Sequence, residues 1–256
     1  MLTYNITLNK ERNVTLTCYI QPITGEDWGM DKRPVLVVLP GGGYQYCSSR
    51  ESDPVAFAYL QAGYHVVILN YSVKEHSTWP NPLNDYDNTV NMLKEKAAEW
   101  HIDTERICVI GFSAGGHLAA SCASIADNRP AAAILGYPCT IASTTNRFAG
   151  GTMPDACDLV HDKTCPCFVF SSANDGTVPI INSIRFTEAL ANHKIPFESH
   201  IYAFANHGFT TNESFINNRN WCCNRSADWV RDSVEFLKDI IGDYSPDKKL
   251  GQRCMW

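Results

Sequence analysis

The sequence contains no apolar run approaching the ~20 residues that a helix needs to cross a bilayer, so no membrane partner is expected. Lysine and arginine nowhere form a cluster, and the net charge is −6, which argues against a nucleic-acid or anionic-membrane partner. The opening stretch, MLTYNITLNKERNVTL, lacks both a basic n-region and an apolar h-region and does not read as a signal peptide. The expected location is therefore the cytoplasm, although a secreted chain already trimmed of its signal would look the same. Metal-site spacing is also absent: Cys165-x-Cys167 and Cys222-Cys223 match neither CxxC pairs nor Cys/His sets. Internal repeats, low-complexity tracts and a second domain are missing too, so residues 1–256 are expected to form one domain.

Cysteine, by contrast, is abundant. Eleven is an odd number, and Cys108 and Cys122 fall in apolar segments, so the expectation is reduced, mostly buried thiols rather than a disulfide framework. With 45% apolar and 19% charged residues, the chain is ordinary for a globular protein and long enough to bury a large core.

Residues 2–8 and 14–20 alternate apolar and polar and predict an antiparallel pair at a sheet edge. Apolar runs at 35–39, 65–70, 107–110, 131–135, 167–171 and 197–203 predict further strands. Between them, 51–62, 85–100, 114–123, 180–193 and 226–241 predict helices. Strands alternating with helices imply an α/β fold with a mostly parallel, doubly wound sheet covered on both faces. The segment 139–164 shows no clear periodicity and is expected to be a short insertion over the site. A loose tail is expected at 242–256.

The centre of the pattern is Gly111-Phe112-Ser113-Ala114-Gly115, set between a predicted strand and a small-residue helix. Gly-x-Ser-x-Gly in that context is a nucleophile elbow, in which a sharp turn exposes the serine hydroxyl above a helix N-terminus. Serine is a weak nucleophile and needs a base, itself oriented by a carboxylate. His207 and Asp175 each follow a predicted strand, where doubly wound sheets hold their ligands. The order Ser113, Asp175, His207 makes these three the candidate catalytic residues. Asp155, Asp158 and Asp162 compete with Asp175 but lie in the irregular insertion. His65, His101, His117, His161, His193 and His200 lack a companion pattern and read as structural. Asp85 and Asp87 read as N-terminal helix residues, and Arg50-Glu51 as structural. Three glycines, Gly41 to Gly43, directly follow a buried strand and let backbone N–H groups face a ligand. Tyr44 and Val178 are candidates for the substrate pocket, with plain packing an equal alternative for Tyr44.

PGGGY at 40–44, GFSAGGHLAA at 111–120, GYP at 136–138, NDGTVP at 174–179 and NHGF at 206–209 occur in that order. RFTEAL at 185–190 and the final helix extend the match over most of the chain. With these pieces the sequence resembles an α/β-hydrolase of the bacterial esterase/lipase group related to hormone-sensitive lipase. It is nearest in pattern to the small acetylesterases that include acetyl xylan esterase-like enzymes. That resemblance implies an α/β-hydrolase fold and a metal-independent, cofactor-free serine carboxylesterase with a Ser113–His207–Asp175 triad. The backbone N–H groups of Gly42, Gly43 and Ala114 would form its oxyanion hole. A small-molecule ester with a short acyl group is the implied substrate, acetylated oligosaccharide in particular, and a homodimer is compatible with it. Two departures stand out. Pro40 takes the place of the histidine in the His-Gly-Gly-Gly of lipase-like relatives, and 139–164 is shorter than a true lipase lid. A serine peptidase of the prolyl-peptidase type and a non-catalytic ligand-binding protein of the same fold remain the alternatives.

Overall fold

Valine, isoleucine and leucine dominate the strand segments, and they assemble into one eight-stranded sheet in the order β1-β2-β4-β3-β5-β6-β7-β8. The computed structural model describes residues 1–24, 30–149, 151–213, 215–216 and 222–243. Its strands are β1 (Leu2–Asn9), β2 (Val14–Ile20), β3 (Arg33–Leu39), β4 (His65–Asn70), β5 (Ile102–Phe112), β6 (Ala133–Gly136), β7 (Cys167–Ser172) and β8 (Phe197–Tyr202). The helices are α1 (Asp53–Gln61), α2 (Asn81–Glu95), α3 (Ala97–Trp100), α4 (Ala114–Ile125), α5 (Ala142–Ala149), α6 (Ile181–Asn192) and α7 (Trp229–Ile241). β1 and β2 pair antiparallel, β2 meets β4 antiparallel, and every later pairing is parallel.

Because side chains alternate along a strand, the central strands feed two separate cores. Val35, Val37, Val109 and Val169 face α2, α3, α4 and α6. Leu36, Val38, Ile110, Phe168 and Phe170 face α1 and α7, where Phe170 stacks on Trp229 at 4.1 Å between ring centroids. Burial on both sides explains the unbroken apolar runs of β3 to β7. The parallel register then brings strand ends level, with Leu39 beside Gly111, Phe112 beside Gly136 and Gly136 beside Phe170. The loops that follow β3, β5, β6 and β7 therefore open at one end of the sheet.

Three expectations need correction. The segment 139–164 is not irregular throughout, since α5 lies within it. Its sequence, ASTTNRFA, is poor in strong helix formers, and outside partners hold it. Asp155 accepts the Ala142 N–H, while the Asn146 side chain bonds the Met153 backbone in both directions. Asp85 does not sit at the helix start. It is buried in α2, pairs with Arg12 at 2.6 Å and accepts the Ser72 N–H, tying the β1–β2 turn to the end of β4. Asp87 accepts the Asn128 N–H and so anchors the turn after α4.

The ten described cysteines are free thiols, eight of them buried, and burial pushes Cys18, Cys139 and Cys157 up to about 12. Cys254 and most of the tail expected at 242–256 lie outside the described residues. No helix among those described is long and apolar enough to cross a membrane.

Candidate active site

Ser113 joins β5 to α4 with φ +54°, ψ −115°, a backbone conformation a non-glycine residue rarely adopts. The turn is tight because α4 runs back along the sheet. A Cβ on Gly115 would overlap the Leu39 carbonyl, so only glycine fits there. Such strain persists where the surroundings enforce it, and Ser113 is held by its N–H to the Gly136 carbonyl and by its own carbonyl, which accepts from His117 and Cys139.

His207 Nε2 lies 2.9 Å from Ser113 Oγ, and Nδ1 lies 2.7 Å from Asp175 Oδ2. Asp175 Oδ1 accepts the N–H groups of Thr177 and Val178, which fixes the carboxylate plane and leaves Oδ2 for the imidazole. The Nδ1 proton therefore points at Asp175 and the lone pair of Nε2 at the serine hydroxyl. Asn174 sets the spacing between the two loops, because its Oδ1 accepts the Ala205 N–H from the His207 loop. Asp155 is engaged with Ala142 and Cys157, and Asp162 with His193, so neither reaches His207.

The glycine loop after β3 curls beside Ser113. Gly42 has φ +132°, and a Cβ there would overlap the Tyr46 carbonyl. The loop shape is set by three bonds: Tyr71 Oη–H to the Pro40 carbonyl at 2.7 Å, Gly41 N–H to Glu51 Oε2 at 2.7 Å, and Ser48 N–H to the Gly41 carbonyl at 2.9 Å. Pro40 thus takes its place through its carbonyl. Glu51 also accepts the Tyr137 hydroxyl at 2.7 Å, and the Tyr137 ring sits edge-on to His207 at 5.0 Å. Burial raises the pKa of Glu51, against the lowering pull of these hydrogen bonds and of nearby His207 and Arg50. The sequence pattern alone marks Arg50-Glu51 only as structural. The partners of Glu51 lie 10 and 86 residues away, so no local period could reveal them.

A cavity of about 420 Å³ opens over the serine, lined by Gly42, Gly43, Gln45, Tyr46, Arg50, Glu51, Ser113, Arg147, Phe148, Thr177 and His207 among others. The two pocket candidates are not on its wall. Tyr44 is buried, its hydroxyl 2.8 Å from His117 Nδ1, because the loop turns its side chain inward. Val178 is buried too, held by its N–H to Asp175, and Thr177 takes the wall position. Gln45, Tyr46, Arg147 and Phe148 were missed, since they come from a loop and a helix without a clear pattern. Cys139 Sγ lies 3.7 Å from Ser113 Oγ, beneath the nucleophile candidate. Among the described residues no group of three or more His, Cys, Asp or Glu is arranged to hold a metal ion.

The fold that carries these residues is similar to the solved structure of MGS-M1, an α/β-hydrolase enzyme from a Medee basin deep-sea metagenome library. The two share 37% identity and a TM-score of 0.87, over 93% of this chain and 97% of that one. The chain belongs to the α/β-hydrolase superfamily. The family model described as BD-FAE matches residues 25–132. Endo-1,4-beta-xylanase B of Butyrivibrio fibrisolvens is 31% identical over 218 residues, 72% of this chain. Acetylxylan esterase of Xylanibacter ruminicola is 26% identical over 197 residues, 68% of this chain. The chain spans 34% and 40% of the length of those two curated relatives.

Proposed function

We propose that the chain is a serine carboxylesterase acting on short acyl esters, acetyl esters of carbohydrates in particular. The observation that carries this reading is His207 bridging Ser113 Oγ at 2.9 Å and Asp175 at 2.7 Å. In it, Ser113 Oγ attacks the ester carbonyl as its proton passes to His207 Nε2. Asp175 holds the Nδ1 tautomer and stabilises the imidazolium. The N–H groups of Gly42, Gly43 and Ala114 receive the oxyanion, and Ala114 is suited to this as the first residue of α4, where helix N–H groups lack an intrahelical acceptor. His207 then protonates the departing alcohol, and water releases the acid by the same steps in reverse.

The carbohydrate part of the reading is supported by the names of two relatives, a xylanase and an acetylxylan esterase. In this reading Phe148, which leans against Gly43, and Cys139, 3.7 Å from Ser113 Oγ, are the side chains that would bound a short acyl group. Hydrolysis of p-nitrophenyl esters from acetate to octanoate, run beside acetate release from acetylated xylo-oligosaccharides, tests it. The expected kcat/KM falls steeply beyond butyrate. Rates that rise towards octanoate, or turnover of an Ala-Pro anilide instead of the esters, would overturn it.

A further inference from the structure

Two guanidinium groups share the cavity above Ser113 in a chain whose net charge is −6. Arg50 lies on the His207 side, where a Cβ on Gly208 would stand 3.3 Å from its Nη2. Arg147 lies on α5 and lines the same cavity. Its Cζ sits 5.9 Å from the Phe148 ring, and Phe148 in turn leans against Gly43. Among the described residues neither arginine forms an ion pair. Glu51 is the one carboxylate among the described lining residues, and both its oxygens are already occupied by Gly41 N–H and the Tyr137 hydroxyl. Asp175 is likewise committed to His207, Thr177 and Val178. The cavity thus sets two exposed guanidinium groups, neither held in an ion pair among the described residues, beside carboxylates whose oxygens are taken, so the arginines are the groups left to receive an anion there.

We propose that the ester substrate carries an anionic group on its alcohol half, of the kind a uronic-acid sugar supplies, and that Arg50 and Arg147 receive it. This rests on the esterase reading. The alcohol half is favoured because the acyl group is short, and most of the 420 Å³ is left to the alcohol. Guanidinium suits a carboxylate better than ammonium does, through its two parallel N–H groups. Both arginines are exposed, so solvent screening keeps the effect modest, about fivefold per residue.

The test uses two aryl acetates of similar shape, 4-acetoxybenzoate and uncharged 4-acetoxybenzamide. The quantity read is the anion-to-neutral ratio of kcat/KM. Arg147→Gln and Arg50→Gln are each expected to lower that ratio about fivefold, mainly through KM, with Arg147→Lys keeping much of it. Added salt should lower the ratio in the unmutated enzyme, a readout that needs no variant to fold. An acyl-side anion, offered as p-nitrophenyl hydrogen succinate, should gain nothing over the butyrate ester. Turnover of both acetates with a ratio indifferent to mutation and salt would overturn the proposal alone. A gain on the succinate instead would overturn the assignment to the alcohol half. Turnover of neither acetate would remove the esterase reading and this proposal with it.

Discussion

Glu51 is buried and has both carboxylate oxygens committed, one to the Gly41 N–H and one to the Tyr137 hydroxyl. Those bonds link the glycine loop to the residue that packs on His207, so one side chain sets two parts of the site. Truncation at Glu51→Ala would leave a buried N–H and a buried hydroxyl unsatisfied and open a void. The expected loss is about 2–4 kcal/mol of stability in urea melts, together with a fall in kcat of about tenfold or more. Glu51→Gln should lose less than half as much. Its carbonyl can accept from Gly41, and the Tyr137 hydroxyl can turn from donor to acceptor for the amide. An alanine variant within about 0.5 kcal/mol of the unmutated protein would show that the bonds contribute little.

At the scale of elements, the decisive contact is α4 pressed against the end of β3. Gly115→Ala puts a methyl group into the Leu39 carbonyl, a backbone atom that cannot swing aside. The expected cost is about 3 kcal/mol or more, read as a lowered urea midpoint or as loss of soluble protein. A variant that melts with the unmutated protein would mean that the elbow is looser than its geometry implies. The same contact explains what could be read in the sequence. Buried parallel strands are unbroken apolar runs, and a strand–turn–helix at this density demands glycine at fixed spacing, so β3 to β7, α4 and the convergence of Ser113, Asp175 and His207 were legible. What was not legible depends on partners distant in sequence. The helix α5 exists because Asp155 and Asn146 hold weak helix formers in place, and Asp85 is buried because Arg12 reaches it across the sheet. Tyr44 sits beside the glycine loop in sequence yet turns into the core, since its hydroxyl finds His117 there.

Over the whole molecule, two buried histidines tie the sheet to its cover in a way that only the neutral ring allows. His117 Nδ1 accepts the Tyr44 hydroxyl while Nε2 donates to the Pro154 carbonyl, and His65 Nδ1 accepts the Gln21 N–H while Nε2 donates to the Trp100 carbonyl. Burial, the largest cause for each, pulls both from 6.5 to about 4. Between pH 6.5 and about 4 the unfolded chain takes up protons that the folded one refuses. Stability therefore falls as pH falls through that window, by about 1.4 kcal/mol per pH unit for each ring. Glu51, raised by burial, acts in the opposite sense, so the informative quantity is a difference between proteins. His117→Gln should lose less stability between about pH 7 and about pH 5 than the unmutated chain does, measured by urea midpoints. Parallel losses would show that His117 does not carry the linkage.

The fold gathers loops from five strand ends around one hydroxyl, and the central claim is that this hydroxyl takes the acyl group. Rapid acid quench of the enzyme during turnover of p-nitrophenyl acetate, followed by peptide mass mapping, tests that claim most directly. The account predicts one acetyl group on the peptide that contains Ser113, and none on that peptide in Ser113→Ala. Acetylation of Cys139 instead, or steady turnover by Ser113→Ala at more than a tenth of the unmutated rate, would contradict it.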